Sequence, residues 1–272
     1  MGNKRLILEA ALIVVICGVL VWLLMFPHEP VREGKPLSEW LAQYGTNHLS
    51  RLNRAQEEQA QTVLLQVGVK GIPVYLRLLS SRPSSLKTNI LNKLSPAWRI
   101  RLNLPAPADY DRIFAHRRNL GTYGLLALDT NARPAIPYLI ALLNDRNADV
   151  RHAAVYVLAE LGPLSREVLP ALIKCLKDPD SLIRLDAAWA LGYIHADAAD
   201  CVPALVEFLE KNRNKQILRD TAMEALGQFG ARATPAVPAL RSFLNHADAD
   251  ARETATNVLK EINPPDARTA KK

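Results

Sequence analysis

Hydrophobic and polar positions follow two patterns along this chain. From Leu6 to Phe26 every position is apolar or small except Glu9, and from Ala10 onward there is no charge at all. A helix of that length runs roughly 31 Å at about 1.5 Å per residue, close to the hydrocarbon thickness of a bilayer. Lys4 and Arg5 precede it, Trp22 lies near its far end and Pro27 stops it. The pattern predicts a transmembrane anchor over residues 6–26. Residues 1–5 stay cytoplasmic and everything after Phe26 is exported, because Lys and Arg favour the cytoplasmic side. An uncleaved anchor is expected over a cleaved signal, since Leu23-Leu24-Met25-Phe26-Pro27 lacks the small residues of a cleavage site.

Downstream the pattern becomes periodic. Arg118, Arg151, Arg184, Arg219 and Arg252 recur at spacings of 33 to 35 residues. Three residues after each stands a small side chain (Gly121, Ala154, Ala187, Ala222, Ala255), and seven after each stands a Leu (Leu125, Leu158, Leu191, Leu226, Leu259). Offsets of three and seven share one face of a helix, so each Arg opens a helix with an inward small-then-Leu stripe. Eleven after each Arg comes Asp129, Gly162, His195, Gly230 or Asn263, residue types that tolerate a left-handed helix stop. Eight further on, Pro137, Pro170, Pro203 and Pro238 each open a second, shorter helix with Leu at offsets two and six.

A two-helix unit of about 33 residues cannot bury its own apolar stripe, so such units stack. The expected fold is all-α, a right-handed α-solenoid of helix-turn-helix repeats over residues 53–263 preceded by the one transmembrane helix. Residues 27–52 are expected to be a juxtamembrane tether with a short helix near 36–45. Three prolines mark residues 95–109 as an insertion, and the polar tail 264–272 is expected to fray.

Segments such as Pro170-Ala171-Leu172, Ile183-Arg184 with Ala187-Ala188-Trp189-Ala190-Leu191-Gly192, and Thr221-Ala222-Met223-Glu224-Ala225-Leu226-Gly227 resemble HEAT repeats, of the short class also found in phycobilisome lyases. Gly34-Lys35-Pro36-Leu37-Ser38-Glu39-Trp40-Leu41 resembles the juxtamembrane motif of membrane-anchored bacterial HEAT-repeat proteins. The resemblance implies a binding scaffold, here on the periplasmic side of a bacterial inner membrane, with a protein partner on the concave face built by the helices near residues 147–161, 180–194, 214–229 and 249–262. The alternative it carries is a lyase-like or chaperone-like enzyme handling a cofactor or chromophore. The sequence departs from the pattern at Gly124, Asp129 and His195.

In these repeats the Arg reaches an Asp in the turn or a neighbouring unit, and Asp145 and Asp178 are placed for that role. Arg118, Arg151, Arg184, Arg219 and Arg252 are therefore expected to be structural. Trp189 is either inter-repeat core, the expected role, or a groove anchor.

Composition adds one asymmetry. The chain carries +7, and residues 70–120 hold ten Lys or Arg against Asp109 and Asp111. Arg99, Arg101, Arg112 and Arg117 are candidate contacts to anionic lipid or an acidic partner, against the reading that they are dispersed and solvated. Nucleic acid is disfavoured by export. Three scattered cysteines make no disulfide framework or zinc site, the six histidines form no metal-binding pair, and no phosphate loop is present. Ser84-Ser85-Leu86-Lys87 has the spacing of an activated serine, but a Ser cap opening a helix explains it. No catalytic residue, cofactor or metal is expected.

Overall fold

The computed structural model describes residues 30–45, 54–82, 109–162 and 167–263, with isolated positions at Lys93, Ser95, Arg101 and Ala106. The expected anchor at 6–26, Arg99, the Ser84–Lys87 segment and the tail lie outside the described residues.

The chain enters through a hairpin, β1 (Val31–Arg32) paired antiparallel with β2 (Lys35–Pro36). Its turn residues Glu33 and Gly34 both have positive φ, 48° and 77°, the geometry that matches the twist of a two-residue hairpin. Helix α1 (Leu37–Gly45) follows directly, then α2 (Arg54–Val67). Leu37, Trp40 and Leu41 are fully buried, and α1 packs on α2 and on a helix more than 60 residues further along. Residues 30–45, which fall within the expected tether, thus pack as the first course of the solenoid.

Short helices α3 (Ile72–Leu79), α5 (Ile136–Leu142), α7 (Val168–Cys175), α9 (Ala198–Lys211) and α11 (Val237–Ser242) alternate with long helices α4 (Tyr110–Leu126), α6 (Ala148–Leu161), α8 (Ser181–Ile194), α10 (Gln216–Gln228) and α12 (Ala249–Ile262). Successive long helices pack directly on one another, whereas successive short helices meet only marginally. The small residues explain the difference. Ala154, Ala187, Ala222 and Ala255 are all fully buried, and at Gly192 even a methyl group would sit 2.7 Å from the Ala225 Cα. A row held close on one side and splayed on the other must curve, with the long helices on the concave face.

The expected stop positions behave as the pattern requires at Asp129 (φ 49°), His195 (φ 35°) and Gly230 (φ 54°), and upstream at Gly68 (φ 55°). Gly162 and Asn263 do not; their φ values are −57° and −132°. Gly68 also decides the meaning of Glu58–Leu79, which by length and composition could cross a membrane. The stop splits it into α2 and α3, whose Val63, Leu64, Tyr75 and Leu79 are buried in the core.

The connections between helices differ from one another, and one expectation needs correcting. The turns after α4 and α10 are 3-10 helices, Asp129–Ala135 and Gly230–Ala236. The fourth short helix is not short: α9 starts at Ala198, so Pro203 lies inside it. There the connection is reduced to His195–Asp197, with both end residues left-handed, and the helix takes up the remaining residues. The departure at Gly124 also has a cause. The Tyr75 ring lies against it, and a methyl group there would come within 2.4 Å of Tyr75 Cδ1.

Candidate functional site

The repeat arginines build one edge of the molecule. Each of the last four is the fourth residue of its helix, where a cation opposes the helix dipole and needs compensation. Arg151 obtains it from the following unit: its Nε and Nη2 donate to the two carboxylate oxygens of Asp178 at 2.9 and 2.8 Å, and Nη1 donates to the Asp145 carbonyl at 2.9 Å. Both side chains are about nine-tenths buried, and the Asp178 hydrogen bond holds the guanidinium pKa above its ordinary value. Arg118 donates to Asp149 at 2.7 Å and Arg219 to Asp248 at 2.7 Å, again one unit ahead.

Both Asp145 and Asp178 stand six residues before a repeat arginine, but the Asp178 carboxylate goes to Arg151 of the preceding unit and the Asp145 carboxylate accepts from Arg82 Nη1, at 2.6 and 2.7 Å to its two oxygens. Among the described residues Arg184 and Arg252 bond carbonyl oxygens alone, of Asp178 and Pro179 and of His246 and Ala247. For Arg184 the reason lies one unit on, where Arg213 stands in place of an Asp and turns to Ser242 and the Phe243 ring. These contacts are structural.

The same turns cap the long helices. Asp145 and Asp178 accept from the backbone N–H two residues on, and Asn147, Asp180 and Asp248 accept from the first-turn N–H groups of α6, α8 and α12. An Asp-x-Asn/Asp doublet is the legible sign of the Asn147 and Asp180 caps, and His246 replaces its first Asp before Asp248.

Among the described residues the candidate cations of the basic segment do not share one patch. Arg112 is exposed but engages Asp109 on its own turn at 3.0 Å, Arg118 is buried, and Arg82 is tied to Asp145. Arg117 is half-buried and stands about 140° around α4 from Arg112. Arg101 is exposed.

The exposed side of the long-helix row carries aromatic residues instead. Tyr156 is 43% exposed, Trp189 44% and Tyr193 47%. This corrects the expectation that Trp189 is core. Five residues past its Arg the helix position points about 140° away from it, toward the concave surface. Tyr123 and Tyr156 occupy the same place in earlier units. That recurrence of aromatics at 33-residue spacing is the signal sequence reasoning missed.

Trp189 and Tyr193 stack with ring centroids 5.0 Å apart and planes 13° apart. They line a hollow of about 390 Å³ with Thr221, Glu224 and Gln228 of the next long helix and with His195. His195 Nδ1 donates to the Tyr193 carbonyl at 2.9 Å. Two other hollows, about 490 and 440 Å³, are the clefts between splayed short helices. Cys175 lines the larger one and Cys201 is buried in α9; burial pushes both thiols up to about 11, so neither is nucleophilic near neutrality. Among the described residues no group of His, Cys, Asp or Glu is arranged to hold a metal ion.

Between α6 and α8, on the same exposed side, His152 Nδ1 bonds the Asp186 carboxylate. That bond raises the imidazole pKa, outweighing the opposing effect of burial, with Asp149 and Asp180 adding in the same direction. A histidine raised on folding contributes stability fully present below its unfolded pKa of about 6.5 and lost as pH rises through the folded value. Unfolding measured from pH 6 to pH 9 is therefore expected to show a decline that His152→Gln removes.

Residues 136–226 and 202–270 match the family model of HEAT repeats. It is a HEAT-repeat protein. The HEAT units so matched run from α5 to the end of α12, and α3 with α4 continues the same two-helix arrangement upstream. Among solved structures, the HEAT-repeat chain is similar to the complex of CpcE and CpcF of phycocyanin lyase from Nostoc sp. PCC7120. The two are 27% identical, with TM-score 0.44, over 54% of this chain and 60% of that one. It is also similar to a designed armadillo repeat protein in complex with peptide (KR)4, at 16% identity and TM-score 0.48, over 84% of this chain and all of that one. No curated protein sequence matches it.

Proposed function

We propose that this HEAT-repeat chain is a non-enzymatic scaffold, held at a bacterial inner membrane by residues 6–26, that binds another protein along its row of long helices on the periplasmic side. One observation carries the binding reading. Tyr156, Trp189 and Tyr193 stand exposed together on the concave face, whereas the neighbouring positions of the same helices are buried. Large aromatics left in water on a curved, rigid surface are the usual anchors of a protein interface. The membrane reading rests on the uninterrupted apolar run and its flanking Lys4 and Arg5.

The lyase-like alternative would have to use the same hollow, where His195, Glu224 and Gln228 stand beside the rings. Those three groups belong to two helices and form no nucleophile–base pair, so the scaffold reading is preferred.

Photo-crosslinking tests the proposal in whole cells. A photoreactive residue replacing Tyr156 or Trp189 is expected to give discrete adducts that external protease degrades in spheroplasts. The same residue at Tyr138, 63% exposed on short helix α5, is expected to give none of them. Identical adducts from both faces would overturn the binding reading, and protease-resistant adducts would overturn the orientation.

A further inference from the structure

The concave face has a charge opposite to that of the chain. Its outward positions on α6, α8, α10 and α12 lie two residues before, and one, five and nine residues after, each repeat arginine. No Lys or Arg occupies any of them. Carboxylates recur there, and Glu160, Glu224, Glu253 and Glu261 make no ion pair among the described residues, unlike Asp149 and Asp220, which already hold guanidinium partners. A protein of net charge +7 thus presents a local acidic surface beside its exposed aromatics.

We propose that this face binds an extended polypeptide segment bearing lysine or arginine, with one cationic side chain seated between the Trp189–Tyr193 stack and Glu224. This rests on the protein-binding reading and specifies the partner. Three arguments select that occupant.

Exposed ring faces attract a cation, and a carboxylate lining the same hollow adds to the attraction. An apolar segment would bury Glu224 without a partner, which is costly. An acidic segment, a phosphate backbone or an anionic headgroup would be repelled by the unpaired glutamates. At physiological salt the attraction extends only about 8 Å, so it acts on a segment lying in the face rather than on the partner as a whole.

Spacing adds a constraint. Neighbouring packed helices are about 8–10 Å apart, a distance an extended chain covers in about three residues. A basic residue at every third position would therefore place one between the Trp189–Tyr193 stack and Glu224 and the next beside Glu253 on the following helix.

The test uses the full chain in nanodiscs of zwitterionic lipid and labelled twelve-residue peptides followed by fluorescence anisotropy. The probe repeats Lys-Ser-Ser four times; controls replace each Lys by Glu or by Leu. The Lys peptide is expected to bind more tightly than either control, and more weakly as salt is raised. Trp189→Ala and Glu224→Gln are each expected to weaken it about tenfold. Both residues are exposed, and unchanged circular dichroism would confirm that the fold persists. Equal binding of the Lys and Leu peptides, or an unchanged affinity in Glu224→Gln, would overturn the proposal. So would sedimentation showing that the face is covered by a second copy. If the crosslinks at Tyr156 and Trp189 persist while the Lys peptide does not bind, only the basic-segment inference fails; loss of both removes the binding reading as well.

Discussion

Arg151→Met is expected to destabilise the solenoid by about 3–5 kcal/mol, because it leaves the Asp178 carboxylate charged, about nine-tenths buried and without its cation. Met fills most of the aliphatic volume, so the loss reports the charge rather than a cavity. The effect should be local first. Arg151 on α6 and Asp178 at the start of the next unit join two units of a fold in which each unit contacts only its neighbours. Urea unfolding should therefore broaden or split into an upstream and a downstream step. Asp178 also accepts the Asp180 N–H, so the companion substitution is Asp178→Asn, which removes the charge and retains an acceptor. The double variant is expected to recover much of the loss. A single unfolding step shifted by under about 1 kcal/mol would show that the ion pair contributes no more than an exposed one.

The ladder also marks where sequence reading stops. The 33-residue period was legible because every inward position must be small or Leu, and departures from that rule are costly in a packed row. Stop positions were legible for a backbone reason: few residues other than Gly, Asn, Asp and His accept positive φ, and Asp129 and His195 do. Which carboxylate each arginine takes was not legible. Partners come from the next unit, 27 to 31 residues on, and the choice depends on what else reaches the turn. Asp145 suits Arg151 by position, yet Arg82, from beyond the 95–109 insertion, takes it, and Asp149 pairs with Arg118. Trp189 was misassigned because its helix was considered alone. Tyr123, Tyr156 and Trp189, aligned across units, place aromatics at one outward offset, a recurrence that only comparison between units brings out. The acidic character of that face was hidden by the net positive charge of the chain.

Trp40→Ala is the second large effect expected, about 3–5 kcal/mol for an aromatic whose side chain is 1% exposed. Its consequences reach beyond a cavity. The Trp40 Nε1 donates to the Arg32 carbonyl at 3.0 Å, Lys35 Nζ stands 4.8 Å from the ring centroid, and the Leu37 N–H donates to the Pro30 carbonyl at 2.9 Å. Gly34 supplies the left-handed turn that brings Arg32 back over the ring. The motif from Gly34 to Leu41 is thus a clasp that folds the chain leaving the apolar run onto α2 and α4. With the ring removed, hydrogen exchange in β1, β2, α1 and α2 should rise toward that of unstructured chain, while α6 to α12 remain protected. Trp40→Phe, which restores most of the buried area but not the Nε1–H donor, should recover all but about 1 kcal/mol. If protection falls equally along the whole solenoid, the clasp is a folding nucleus rather than a cap. If it falls nowhere, α1 is not needed to seal the first repeat. The expected outcome makes residues 30–45 a rigid first course, which closes the upstream end of the solenoid's core by covering α2 and α4.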